Sequence, residues 1–117
     1  KNYLGNIEEK PWGNYHVIAK NIGYQIKEIK VFKGQKLSLQ KHQSRSEFWQ
    51  IIKGESKIII ENNDYCLKEK EHIYIPKDTI HRIENIGKED LIFIEIQLGE
   101  NLTEDDIVRL EDDYGRV

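Results

Sequence analysis

Short runs of β-branched and aromatic residues, broken by turn residues, make up most of this chain. Runs of this length bounded by Gly, Asn and Asp read as β-strands. They predict strands at Asn14–Lys20, Tyr24–Phe32, Lys36–Lys41, Phe48–Ile52, Lys57–Glu61, Asp64–Leu67, His72–Ile75, His81–Asn85 and Leu91–Leu98. Gly34, Gly54, Gly87 and the Asn62-Asn63-Asp64 tract supply the turns. The apolar stretches Ile58–Ile60 and Ile92–Ile96 are too short and too tightly bounded for buried helices. Many short strands at close spacing predict an all-β antiparallel sandwich or barrel.

The two ends break the pattern. Thr103-Glu-Asp-Asp106 has the shape of a capping box, and Ile107, Val108 and Leu110 follow it. This predicts a short helix over about Glu104–Leu110, then a polar tail from Glu111 to Arg116. The expected organisation is one domain over 1–117: an irregular arm over 1–13, a barrel over 14–98, and the short helix with its acidic tail over 103–117.

Composition narrows the function classes. The chain has 117 residues, 33% of them charged, with net charge −3 and a pI near 5.8. That length buries one core and is too short for two. No basic stripe with interleaved aromatics is present, so no nucleic-acid partner is expected. No apolar stretch has the length of a membrane span and no signal-peptide pattern opens the chain, so no membrane partner is expected. One cysteine, Cys66, rules out an internal disulfide; it is expected as a half-buried strand residue in a cytoplasmic protein. The chain begins at Lys1 with no methionine, which leaves room for a preceding segment.

Four side chains stand out. Gln40 and His42 are two apart and on a strand would share a face; Glu47 follows after a short turn; His81 comes soon after Pro76. Nitrogen and oxygen donors brought together from several strands suit a first-row divalent metal.

These residues also carry a resemblance. Gly34, Gln40, His42, Glu47 and Gly54 stand at the spacing of the first cupin motif, and Pro76, His81 and Asn85 match the second. Gln40 replaces the usual first histidine, and Asp78 takes a usual glycine place. A Gln-x-His pair is what phosphomannose isomerases carry. Lys10-Pro-Trp-Gly13, Leu37-Ser-Leu-Gln40, Arg45-x-Glu47-x-Trp49, Tyr74-Ile-Pro76, His81-Arg-x-Glu-Asn85 and Glu104–Arg116 resemble the type II mannose-6-phosphate isomerase domain. In that family the domain commonly follows a mannose-1-phosphate guanylyltransferase domain. Gln43, Ser44 and Phe48 stand where the family usually has histidines.

The resemblance implies a cupin jelly roll and a divalent metal, zinc first, on Gln40, His42, Glu47 and His81. It implies interconversion of mannose 6-phosphate and fructose 6-phosphate through an enediolate, serving GDP-mannose and polysaccharide precursor synthesis. The substrate phosphate needs cations, and Arg45, Arg109 and Lys41 are the candidates, with Arg116 behind them. No residue stands out as the proton-transfer base. A homodimer is expected, because small sandwiches must protect their edge strands.

The blander readings run beside these. His16 and His72 lack partners at ligand spacing and read as ordinary strand residues. Trp12 and Trp49 read as packing anchors outside the site. The acids at 104–106 read as a helix start. Two other functions stay open: a non-catalytic sugar-phosphate-binding module detached from a guanylyltransferase, and another cupin enzyme such as an epimerase or a dioxygenase.

Overall fold

The computed structural model describes residues 5–116. Its strands are β1 (Glu8–Lys10), β2 (Gly13–Asn21), β3 (Tyr24–Val31), β4 (Leu39–Lys41), β5 (Arg45–Lys53), β6 (Glu55–Ile60), β7 (Asn63–Lys68), β8 (His72–Ile75), β9 (His81–Asn85), β10 (Leu91–Gly99) and β11 (Val108–Glu111). They form a six-stranded sheet in the order β1-β2-β3-β10-β5-β8 and a five-stranded sheet in the order β11-β4-β9-β6-β7. Every strand pair is antiparallel. The two sheets face one another as an antiparallel jelly roll, with the core between them.

Alternation decides which side chains enter that core. On β10, Leu91, Phe93, Glu95 and Gln97 point inward and are buried, while Ile92, Ile94, Ile96 and Leu98 take the outer face. The register carries the inward row across the sheet: Phe93 lies opposite Ile29 on β3 and Ile51 on β5. With Val31 and Leu91, and Ile58 and Ile83 from the smaller sheet, they fill one end of the barrel with apolar side chains. Each such side chain contributes about 1.5–3 kcal/mol by leaving water. The turns at Gly34 and Gly54 have φ of 77° and 96°, the left-handed region that glycine adopts without strain.

Three expectations need correction. The helix over Glu104–Leu110 is not formed. Thr103–Asp106 does begin a turn, with the Asp106 amide donating to the Thr103 carbonyl at 3.2 Å. The chain then extends into β11, where Val108 and Arg109 lie opposite Lys41 and Gln40 of β4. β-Branched Ile107 and Val108 fit that strand edge better than an isolated two-turn helix, which propensity alone does not sustain. The arm over 1–13 is not wholly irregular, since Glu8–Lys10 pairs with β2. Cys66 is on a strand as expected but is exposed, because β7 is the outermost strand of its sheet.

Candidate metal centre and its cavity

The opposite end of the barrel is polar. His42 follows β4, Glu47 lies on β5 and His81 opens β9; all three are buried, and one donor atom from each lies within 4.8 Å of the others. His42 Nε2 stands 3.3 Å from Glu47 Oε2, and His81 Nε2 stands 4.0 Å from Glu47 Oε1. The sequence spacing therefore brings together the histidines and the glutamate it singled out.

Backbone carbonyls orient both rings. His42 Nδ1 lies 2.6 Å from the Asp106 carbonyl oxygen, and His81 Nδ1 lies 2.8 Å from that of Thr79. A carbonyl can only accept, so each Nδ1 carries the proton and each Nε2 presents a lone pair toward Glu47. This arrangement recurs where histidine binds metal. Burial first, then the Arg45 charge, lowers the His42 pKa; burial takes His81 down to about 4. Neutral imidazoles are what a metal requires.

Gln40 lies directly opposite His81 in the β4–β9 pair. Its amide nitrogen donates to the Ser38 carbonyl at 3.3 Å and to Ser38 Oγ at 3.1 Å, which leaves the amide oxygen as the donor atom for an ion. The residues present thus fit a divalent cation with mixed nitrogen and oxygen ligands.

Glu47 is held at both oxygens. Arg45 Nε donates to Oε2 and Trp49 Nε1 donates to Oε1, each at 2.9 Å. Arg45 also donates to the Thr103 carbonyl at 3.2 Å and is buried. It braces the Glu47 carboxylate and also lines the cavity. Trp49 corrects its reading as a packing anchor alone: besides holding Glu47, its ring meets His81 edge-on at 5.6 Å. Lys41 is not among the cavity-lining residues, since alternation between Gln40 and His42 turns it away. Arg109 does line the cavity, and its buried Nε has no hydrogen-bond partner among the described residues.

The cavity is small, about 70 Å³, and opens to solvent. Its far wall was not anticipated from sequence. Glu95 and Lys27 lie opposite each other on β10 and β3, in the inward row next to Phe93 and Ile29. Gln97 donates to Glu95 at 2.7 Å, and Gln25 donates to Gln97 at 2.9 Å, continuing the polar row. Burial, and then the neighbouring Glu47, pushes Glu95 up to about 7. The available signal was strand parity. Counting back by twos from inward Val31 reaches Ile29, Lys27 and Gln25, so two polar residues fall at core positions.

The segment between β10 and β11 straps this end. Asp106 accepts from the Gln43 and Ser44 amides at 2.9 and 3.0 Å, pinning the loop between His42 and Glu47. Gly99, before the strap, closes against that loop: a Cβ there would lie 2.3 Å from the Ser44 carbonyl oxygen.

An antiparallel jelly roll with two histidines and a glutamate converging inside one end is a cupin with the donor set of a metal centre. Residues 6–112 match the family model described as Mannose-6-phosphate isomerase C-terminal, and the chain belongs to that family. It is 44% identical over 108 residues to mannose-1-phosphate guanylyltransferase of Escherichia coli (strain K12), a match covering 92% of this chain and 23% of that protein. It is 42% identical over 108 residues to the alginate biosynthesis protein AlgA of Pseudomonas aeruginosa, covering 92% of this chain and 22% of the relative. The chain thus spans less than a quarter of the length of these relatives. The crystal structure of the capsular polysaccharide assembling protein CapF from Staphylococcus aureus shares the fold, with a TM-score of 0.80 at 20% identity over 91% of this chain and 34% of that one.

Proposed function

We propose that this domain is a metal-dependent aldose–ketose isomerase acting on mannose 6-phosphate and fructose 6-phosphate. The observation that carries the reading is the convergence of His42, Glu47 and His81 inside a cavity, with both ring Nδ1 atoms tied to carbonyls. Gln40, His42, Glu47 and His81 would hold the ion, zinc in the first instance. When bound, it supplies Lewis-acid stabilisation of negative charge on the sugar oxygens at C1 and C2.

The chain's own groups do the rest. Arg45 and Trp49 fix the Glu47 carboxylate so that it does not reorganise during the reaction. Isomerisation takes a proton from C2 of the aldose and delivers one to C1. Glu95 is the proposed carrier, because it lies in the cavity beside Glu47 without belonging to the ligand set. The cavity-lining cations Lys10, Lys27, Arg109 and Arg116 suit a substrate that brings a phosphate dianion.

A coupled assay of fructose 6-phosphate formation, with metal analysis of the same sample, tests this. Wild type should hold about one divalent ion per chain and turn over mannose 6-phosphate, and His81→Ala should lose both. Metal binding without turnover or exchange of solvent deuterium into the sugar would leave a sugar-phosphate-binding module instead.

A further inference from the structure

One carboxylate in the cavity is placed where a ligand belongs. Glu104, on the strap between β10 and β11, puts Oε2 2.6 Å from Lys27 Nζ. The Lys27 side chain is only 5% exposed, whereas that of Glu104 is 55% exposed. Burial, and then the Glu104 charge beside it, pushes the Tyr15 phenol up to about 12. Lys27 Nζ lies 4.1 Å from the centre of the Tyr15 ring, and Lys10 Nζ lies 5.8 Å from it on the rim. Lys27 thus bonds the carboxylate directly, and the Tyr15 ring lies between Lys27 and Lys10. Burial alone would push Glu104 up, but Lys27, with Arg45 and Lys10 behind it, outweighs burial and holds its carboxyl below the usual value. The surroundings favour an anion.

The asymmetry between the partners is informative. Lys27 is built into β3 beneath the cavity and cannot leave without exposing the core. Glu104 sits on a turn whose neighbours are anchored independently, Thr103 through Arg45 and Asp106 through the Gln43 and Ser44 amides. A rotation of the Glu104 side chain into solvent would empty the cradle without moving that backbone. β3 is also two strands away from β5, which carries Glu47, or about 10 Å at the usual strand spacing. That separation is what a sugar phosphate needs if its C1–C2 end lies at the metal ligands.

We propose that Lys27, Tyr15 and Lys10 form the subsite for the substrate's phosphate monoester, and that Glu104 occupies it as a displaceable stand-in when no ligand is bound. This rests on the sugar-phosphate reading above and deepens it. Arg109, opposite Gln40 on β11, is then left for sugar oxygens nearer the metal ligands. The stand-in gives the buried Lys27 ammonium a hydrogen-bonded anion while the subsite holds no ligand. It also sets a threshold: a ligand must bring an anion strong enough to replace a carboxylate.

Calorimetric titration of the metal-loaded chain with inorganic phosphate and with mannose 6-phosphate tests the subsite without requiring turnover. Glu104→Gln keeps the size of the side chain but removes the competing charge. It should tighten both ligands about 3- to 10-fold, whereas Lys27→Gln should weaken both by about 10-fold or more, the scale of one charge-assisted contact. Binding of unphosphorylated mannose should change in neither variant. Unchanged or weaker phosphate binding in Glu104→Gln overturns the proposal, and that variant, half-exposed and away from the core, remains usable if Lys27→Gln does not fold. Wild type that binds mannose 6-phosphate no better than mannose overturns it as well. Phosphate-dependent binding that responds to Glu104→Gln without any turnover supports the subsite while removing the isomerase reading, so the two fail separately.

Discussion

The strands β3, β5 and β10 run through two chemically opposite ends of one barrel. At one end their inward residues are Ile29, Val31, Ile51, Leu91 and Phe93; at the other they are Gln25, Lys27, Glu47, Glu95 and Gln97. Backbone, pairing and parity are the same, and only the side chains change. The apolar end gains free energy by excluding water. The polar end must satisfy each buried group with a partner, as Arg45 and Trp49 do for Glu47 and Gln97 does for Glu95. One end therefore supplies stability that the other spends on a preorganised site.

That division predicts a separation of mutant effects. Phe93→Ala removes a fully buried ring from the apolar end and should cost about 3–5 kcal/mol in denaturant unfolding. The fraction that remains folded should bind metal with little change in affinity. A collapse of metal affinity in still-folded protein would show that the two ends are not separable.

Trp49 sits on the boundary, packed at 5.2 Å against Phe93 on one side and donating to Glu47 on the other. Trp49→Phe keeps an aromatic ring but removes the indole N–H. Zinc affinity, read by competition with a chelator, should fall about 10–100-fold, as changes to groups supporting a ligand do. An unchanged affinity with a lowered melting temperature would return Trp49 to the apolar end.

The same division explains what could be read from the sequence. The strands were legible because their β-branched runs are short and closed by Gly and Asn, and His72–Ile75 and His81–Asn85 agree with the structure residue for residue. Gln40, His42, Glu47 and His81 were legible because they flank turns, where polar residues stand out against apolar runs. Glu95 and Gln97 were hidden inside Leu91–Leu98, where the outward residues are Ile92, Ile94, Ile96 and Leu98. An apolar run conceals which parity faces the core, and here the polar residues are the inward ones. The missing helix has a related cause: Thr103–Asp106 does turn, but β4 offers an edge that Val108–Glu111 fills. Strand pairing across 69 residues, from Gln40 to Arg109, leaves no mark on local sequence.

The smallest of these effects concerns the anchor beyond the strap. Arg116 lines the cavity, and Asp112 holds it through hydrogen bonds to the Arg116 amide, Nε and Nη2 at 2.8, 2.8 and 2.9 Å. Hydrogen bonds from the Arg116 guanidinium bring the Asp112 carboxyl down to about 2 from the usual 3.8. Between those values the unfolded chain takes up a proton that the native state refuses, so acid favours unfolding. The contribution is complete above about pH 5 and is lost as the pH falls toward about 2. Asp112→Asn should therefore cost roughly 1–2 kcal/mol at pH 7, and the difference from wild type should shrink through that window as the native carboxyl is titrated. The two ends again part: the apolar end carries no ionisable group whose loss would change slope with pH, so Phe93→Ala should run parallel to wild type across the same range. A constant gap between Asp112→Asn and wild type from pH 7 to pH 2 would mean that the bond to Arg116 supports the strap by its geometry alone, without the charge.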